Sequence, residues 1–184
     1  MGLDSVEFVL ALEDSFGIEI PNASAELMST PRDVINYLVG ALPRADTGPC
    51  LSQHAFYKLR TALRSQSGIA RAAITPDSEL DAFVPRQGRS AAWESVRTYL
   101  GVRKLPGPPA ESDWLGRLSW WRPRRPRQVV RHMVAYSPRS FLANDGWTPS
   151  QISQVVVALC EEEFGISMRD FTLDSEFARD MGVD

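Results

Sequence analysis

Three features predict an all-α protein. Apolar residues recur at three- to four-residue spacing in several segments, and those segments are bracketed by Ser/Thr caps, first-turn prolines and glycine stops. No stretch alternates apolar and polar residues with period two. Val6, Val9, Leu10, Leu12 and Phe16 mark the first helix, with Asp4 and Ser5 as capping oxygens and Gly17 as its stop. After the short IEIP exit and a helical turn at NASAELM, Ser29 or Thr30 caps a second helix, which has Pro31 in its first turn and Val34, Tyr37 and Leu38 on one face. LSQHAFYKLRTALRSQ, SAAWESVRTYLG and RPRQVVRHMVAY follow. The last helix is TPSQISQVVVALCEEEFG, with Thr148 as cap, Pro149 at its first position and Gly165 as stop.

Composition narrows the function classes. With 184 residues, 43% hydrophobic and 23% charged, the chain has the material for one domain or two small ones. Apolar runs fall short of a membrane span, the first residues lack the layout of a signal peptide, and a cytoplasmic protein is expected. Cys50 and Cys160 have no His or Cys at metal-ligand spacing, so both are read as packing thiols. His54 and His132 each sit on a predicted helix without a nucleophile or ligand partner, no glycine-rich phosphate loop occurs, and Glu161 to Glu163 point in different directions around a helix as solvated acidity. The chain is therefore not expected to be an enzyme.

Charge divides the chain in three. Residues 1 to 47 and 148 to 184 each carry eight acids and two bases, −12 together, whereas residues 48 to 147 carry sixteen bases and seven acids, +9. Different segments should meet different partners. Self-comparison adds a second division: GIARAAITPDSEL at 68–80 matches GISMRDFTLDSEF at 165–177, and TPRDVINYLV at 30–39 matches RPRQVVRHMV at 125–134. The offsets, 97 and 95 residues, predict a duplicated helical unit.

GLDSVEFVLALEDSFGIEIP followed by TPRDVINYLVGAL resembles the second half of an acyl carrier protein. WTPSQISQVVVALCEEEFGISMRDFTLDSEFARDMGVD, at the other end, resembles the family's first helix and the loop leading to its serine. The resemblance implies a circularly permuted, four-helix carrier domain formed by residues 1–47 and 148–184. Residues 48–147 would then be an inserted basic, degenerate carrier-like bundle with a Pro/Trp/Arg-rich segment at 106–126. Chain ends often lie close together at a domain surface, and a helical bundle needs filled apolar faces whatever the chain order.

By the same resemblance, Ser5, preceded by Asp4, is the attachment point for 4′-phosphopantetheine, whose thiol would carry an acyl or aminoacyl group as a thioester in fatty acid or polyketide biosynthesis. Implied partners are a phosphopantetheinyl transferase and acyl-transferring or acyl-modifying enzymes. Asp4, Glu7, Glu13, Asp14 and Glu19 would offer them an acidic face. Val9, Leu12, Phe16, Ile18, Ile20, Val34 and Leu38 are expected in the core, part of which would open for an acyl chain. The inserted unit reads PRQGRSAAWESV at the corresponding helix, and Ser90, lacking a preceding aspartate, is not expected to be modified.

Two other readings stay open: an unmodified carrier-like adaptor, and a peripheral membrane protein. DWLGRLSWWRPRRPRQVVRH places Trp120 and Trp121 beside Arg122, Arg124 and Arg125, a mixture suited to an anionic membrane surface. The same segment also reads as a linker or as a basic surface docking on the acidic ends. Nucleic acid is a weaker expectation, and a swapped homodimer is an alternative way for the two ends to complete one another.

Overall fold

The computed structural model describes residues 2–109 and 122–183. Among them every regular element is helical, apart from one bridge between Arg44 and Trp147. The α-helices are α1 (Leu3–Phe16), α2 (Asn22–Ala25), α3 (Pro31–Ala41), α4 (Leu51–Ser67), α5 (Arg89–Leu100), α6 (Pro126–Tyr136), α7 (Pro149–Glu163) and α8 (Phe177–Asp180). Short 3-10 turns at Arg71–Ala73, Leu80–Phe83 and Pro138–Phe141 lie between them. No described helix is long and apolar enough to cross a membrane.

The helix boundaries follow local chemistry. Thr30 caps α3 in a reciprocal box with Asp33, and Thr148 caps α7 in the same way with Gln151; each helix has proline in its first turn. Gly17 ends α1 at φ 60°, where its N–H reaches the Glu13 carbonyl. A side chain there would face left-handed strain and collide with the Arg139 guanidinium, which donates to the Phe16 carbonyl. The start of α1 departs from expectation: Gly2 is the cap and no side chain closes it, so Asp4 and Ser5 lie within the first turn.

The chain divides into two compact units, a terminal one of Met1–Leu51 with Val134–Asp184 and a central one of Ser52–Met133. The charge pattern of the sequence divides the chain at 47/48 and 147/148. The difference at the second boundary has a packing origin: the Ala135 carbonyl accepts the buried Ser15 hydroxyl at 2.7 Å, Phe141 is fully buried, and Trp147 meets Phe16 at 4.8 Å. All of these lie in the terminal unit.

In the terminal unit α7 packs against both α1 and α3. Phe8, Leu12, Phe16, Val34, Leu38, Ile152, Val155, Val156 and Leu159 are buried there. On α1 the inward face is Phe8–Leu12–Ser15–Phe16, while Val6 and Leu10 are 40% and 56% exposed, so neither is core. Val9 and Ile18 are half-buried, and Ile20 is buried. The central unit has its own buried set, including Leu59, Leu63, Ile74, Leu80, Trp93, Val96, Val129 and Met133.

The same tie recurs in each unit. The Arg32 N–H donates to the Leu173 carbonyl at 2.9 Å and the Phe177 N–H to the Ser29 carbonyl at 3.0 Å; 95 to 97 residues away, the Arg127 N–H reaches the Pro76 carbonyl at 3.1 Å and the Leu80 N–H the Arg124 carbonyl at 2.8 Å. Arg32 pairs with Asp174 as Arg127 pairs with Asp77. The two turns match as well: the Thr75 N–H donates to the Ser78 hydroxyl at 3.1 Å, the Thr172 N–H to the Ser175 hydroxyl at 3.0 Å.

Candidate functional site

Ser5 sits half-exposed in the first turn of α1. Three residues on, Phe8 faces inward and meets Phe164 at 5.0 Å and Phe177 at 5.4 Å between ring centroids, and those two rings lie 5.8 Å apart. Tilted and edge contacts at such distances stabilise beyond the area they bury. One ring comes from the head of the chain and two from its tail. Val183 is buried as well, its N–H donating to the Phe177 carbonyl at 3.0 Å.

Beside Ser5 these residues leave a cavity of about 270 Å³, bordered by Ser5, Phe8, Val9, Leu12, Val34, Phe177 and Val183, with Glu26 and Glu176 among its polar members. The arrangement is a hydroxyl on a helix's first turn at an apolar recess. A hydroxyl there can accept a covalent group, and the recess can shelter a short apolar chain from water. Among the described residues no cluster of His, Cys, Asp and Glu could hold a metal ion.

The acidic residues of α1 do different things. Asp4, Glu7, Asp14 and Glu19 are exposed, whereas Glu13 is half-buried and accepts the Ile20 N–H at 2.6 Å, tying the loop after α1 to the helix. Leu3, Val6 and Leu10 lie exposed among those acids, three and four residues apart and so along one side of the helix. Sequence periodicity counted Val6 and Leu10 toward a buried face and passed over Phe8.

In the central unit the helix after the Thr75–Leu80 segment opens with Arg89 and Ser90. Arg89 is buried, donates to the Pro109 carbonyl at 2.9 Å and pairs with Asp81 at 2.5 Å; Ser90 is exposed. Trp120 and Trp121 lie outside the described residues. Arg122 is half-buried. Arg124 and Arg125 are exposed, and their backbone N–H groups donate to the Gln128 side chain at 2.7 and 3.0 Å, which caps α6.

The other sequence candidates have structural duties. Glu161 accepts the Met168 N–H and Glu163 the Tyr136 hydroxyl, each at 2.8 Å, and both are half-buried. Cys160 is packed as expected, and burial pushes its thiol up to about 12. Cys50 departs from the packing-thiol expectation: it is exposed, with its thiol on the Gln154 side-chain oxygen at 3.3 Å.

Comparison with known proteins supports one family. A 36-residue stretch of this chain is 50% identical to an acyl carrier protein of Thermosynechococcus vestitus. That stretch is acyl carrier protein-like. It is 20% of this chain and 44% of the relative, so the chain spans less than half the length of the curated relative it matches. No family model matches the chain, and no solved structure does.

Proposed function

We propose that this protein is an acyl carrier whose Ser5 hydroxyl receives 4′-phosphopantetheine from coenzyme A in a transferase-catalysed step. The serine oxygen forms the new bond to phosphorus, the bond to the nucleotide breaks, and 3′,5′-ADP departs as the hydroxyl proton passes to the transferase. When attached, the group supplies a thiol that holds an acyl or aminoacyl chain as a thioester. The protein's own residues present it: the first turn of α1 holds Ser5, Asp4 flanks it, and the recess beside Ser5 shelters the first carbons of the cargo. Asp4, Glu7, Asp14 and Glu19 steer basic partner enzymes toward that end of the helix.

The carrier is a permuted one, its helices drawn from both chain ends, with the central unit as an inserted and unmodified second copy. The observation that carries this reading is the shared recess: Ser5 and Phe8 from the head border it together with Phe177 and Val183 from the tail. The similarity to an acyl carrier protein supports the same function. In the central unit the buried Arg89 is held by Asp81 next to Ser90, which supports leaving that serine unmodified.

Intact mass spectrometry after incubation with coenzyme A, Mg²⁺ and a transferase tests the proposal. The wild type gains the mass of one phosphopantetheine group, and Ser5→Ala gains none. A folded wild type that gains no mass with several transferases refutes carriage and leaves the adaptor reading, in which partner binding is indifferent to Ser5→Ala.

A further inference from the structure

The middle of α4 and the turn after it create a feature that carrier chemistry does not use. Arg60 lies with its guanidinium carbon 5.1 Å from the Phe56 ring centroid and 4.9 Å from that of Tyr57, so two aromatic rings hold its position. Arg71 opens the following 3-10 turn. The two arginines border one open groove of about 380 Å³ whose other walls are Thr75 and the apolar Phe56, Ala72, Ile74 and Pro76. That volume falls within the range of about 300–1,000 Å³ usual for small-molecule sites.

Other arginines of this unit are held by carboxylates. Arg125 and Arg127 face Asp77, Arg86 and Arg89 face Asp81, and Arg97 pairs with Glu94. Among the described residues neither Arg60 nor Arg71 has an acidic partner within ion-pair distance. The internal repeat shows that the fold does not ask for arginine at either place. At the 97-residue offset that aligns Thr75 with Thr172, Arg60 corresponds to Val157 and Arg71 to Met168. At these two aligned positions the terminal unit has no arginine.

We propose that this groove binds a small amphiphile with a phosphate head and a short apolar tail. Arg60 and Arg71 supply charge-assisted donors from two separate elements, and a phosphate monoester offers three terminal oxygens to receive them where a carboxylate offers two. Phe56, Ala72 and Ile74 cover the tail. The site is independent of Ser5 and of whether Ser5 is modified.

Isothermal titration of the full chain with hexyl phosphate, inorganic phosphate and hexanoate tests it. Hexyl phosphate binds saturably at one site, about tenfold more tightly than either comparator, because only it engages both arginines and the floor. Arg60→Gln and Arg71→Gln each weaken it about fivefold or more, and Ala72→Glu, which puts a negative charge on an exposed groove position, abolishes it. Unchanged thermal unfolding by circular dichroism identifies these as folded variants. Absence of saturable hexyl phosphate binding, binding undiminished in the two glutamine variants, or hexanoate binding as tight as hexyl phosphate would each overturn the proposal.

Discussion

At the scale of single residues, burial and hydrogen bonding separate side chains that look alike in the sequence. Leu12 is fully buried on α1 and Leu10 is 56% exposed two positions earlier. Leu12→Ala should cost about 2–5 kcal/mol, the usual penalty for an unfilled core site, and Leu10→Ala should leave urea stability nearly unchanged. The two thiols should differ as sharply. With its pKa near 12, Cys160 has almost no thiolate at pH 8, so iodoacetamide modifies Cys50 alone in the native protein and both thiols in denaturant. Double alkylation of the native chain at the same rate would contradict this packing. Asp33 lies below the usual carboxylate range because the Thr30 hydroxyl, and then Ser29 and the backbone, donate to it. A depressed folded value stabilises above the ordinary aspartate range and is lost as pH falls through that lower value. Asp33→Ala should therefore cost about 1 kcal/mol at neutral pH, and urea titrations at decreasing pH should show the gap to wild type closing.

At the scale of elements, the local signals were legible and the faces were not. Thr30–Pro31 and Thr148–Pro149 state both helix starts in adjacent residues, and each forms the capping box. The Gly17 stop is equally local. The opening of α1 misled because Asp and Ser favour caps in general, yet here Gly2 has the extended backbone and the helix begins before them. Periodicity missed Phe8 because its partners, Phe164 and Phe177, lie more than 150 positions away. The acidic stripe was half legible: exposure keeps Asp4, Glu7, Asp14 and Glu19 available, while Glu13 is occupied by the Ile20 N–H, a contact no composition reveals. The repeated tie was visible as Pro-Arg and Thr-x-Asp-Ser-Glu. What the structure adds is that these two motifs meet, Arg32 with Asp174 and Arg127 with Asp77. Arg32→Ala should accordingly make the 172–177 segment exchange its amide hydrogens faster, leaving the equivalent 75–80 segment at its wild-type rate.

At the scale of the whole molecule, one chain holds two units of opposite character. The structural division leaves −12 on the terminal unit and +9 on the central one. The acidic unit has a hydroxyl beside an apolar recess; the basic unit has a buried arginine, Arg89, paired with Asp81 where its corresponding helix begins, and a cationic groove elsewhere. In the proposed reading, duplication followed by divergence of the second copy relates the two units, and joining two chain ends in one unit completes the first. The joining of the two ends rests on Phe8 lying against Phe177. Isotope-filtered NOE spectroscopy on the full chain, with labelled and unlabelled copies mixed, measures that proximity directly. Phe8–Phe177 ring cross-peaks arising within one copy are the expected result; a folded protein without such cross-peaks, within a copy or between copies, would contradict a carrier assembled from both ends.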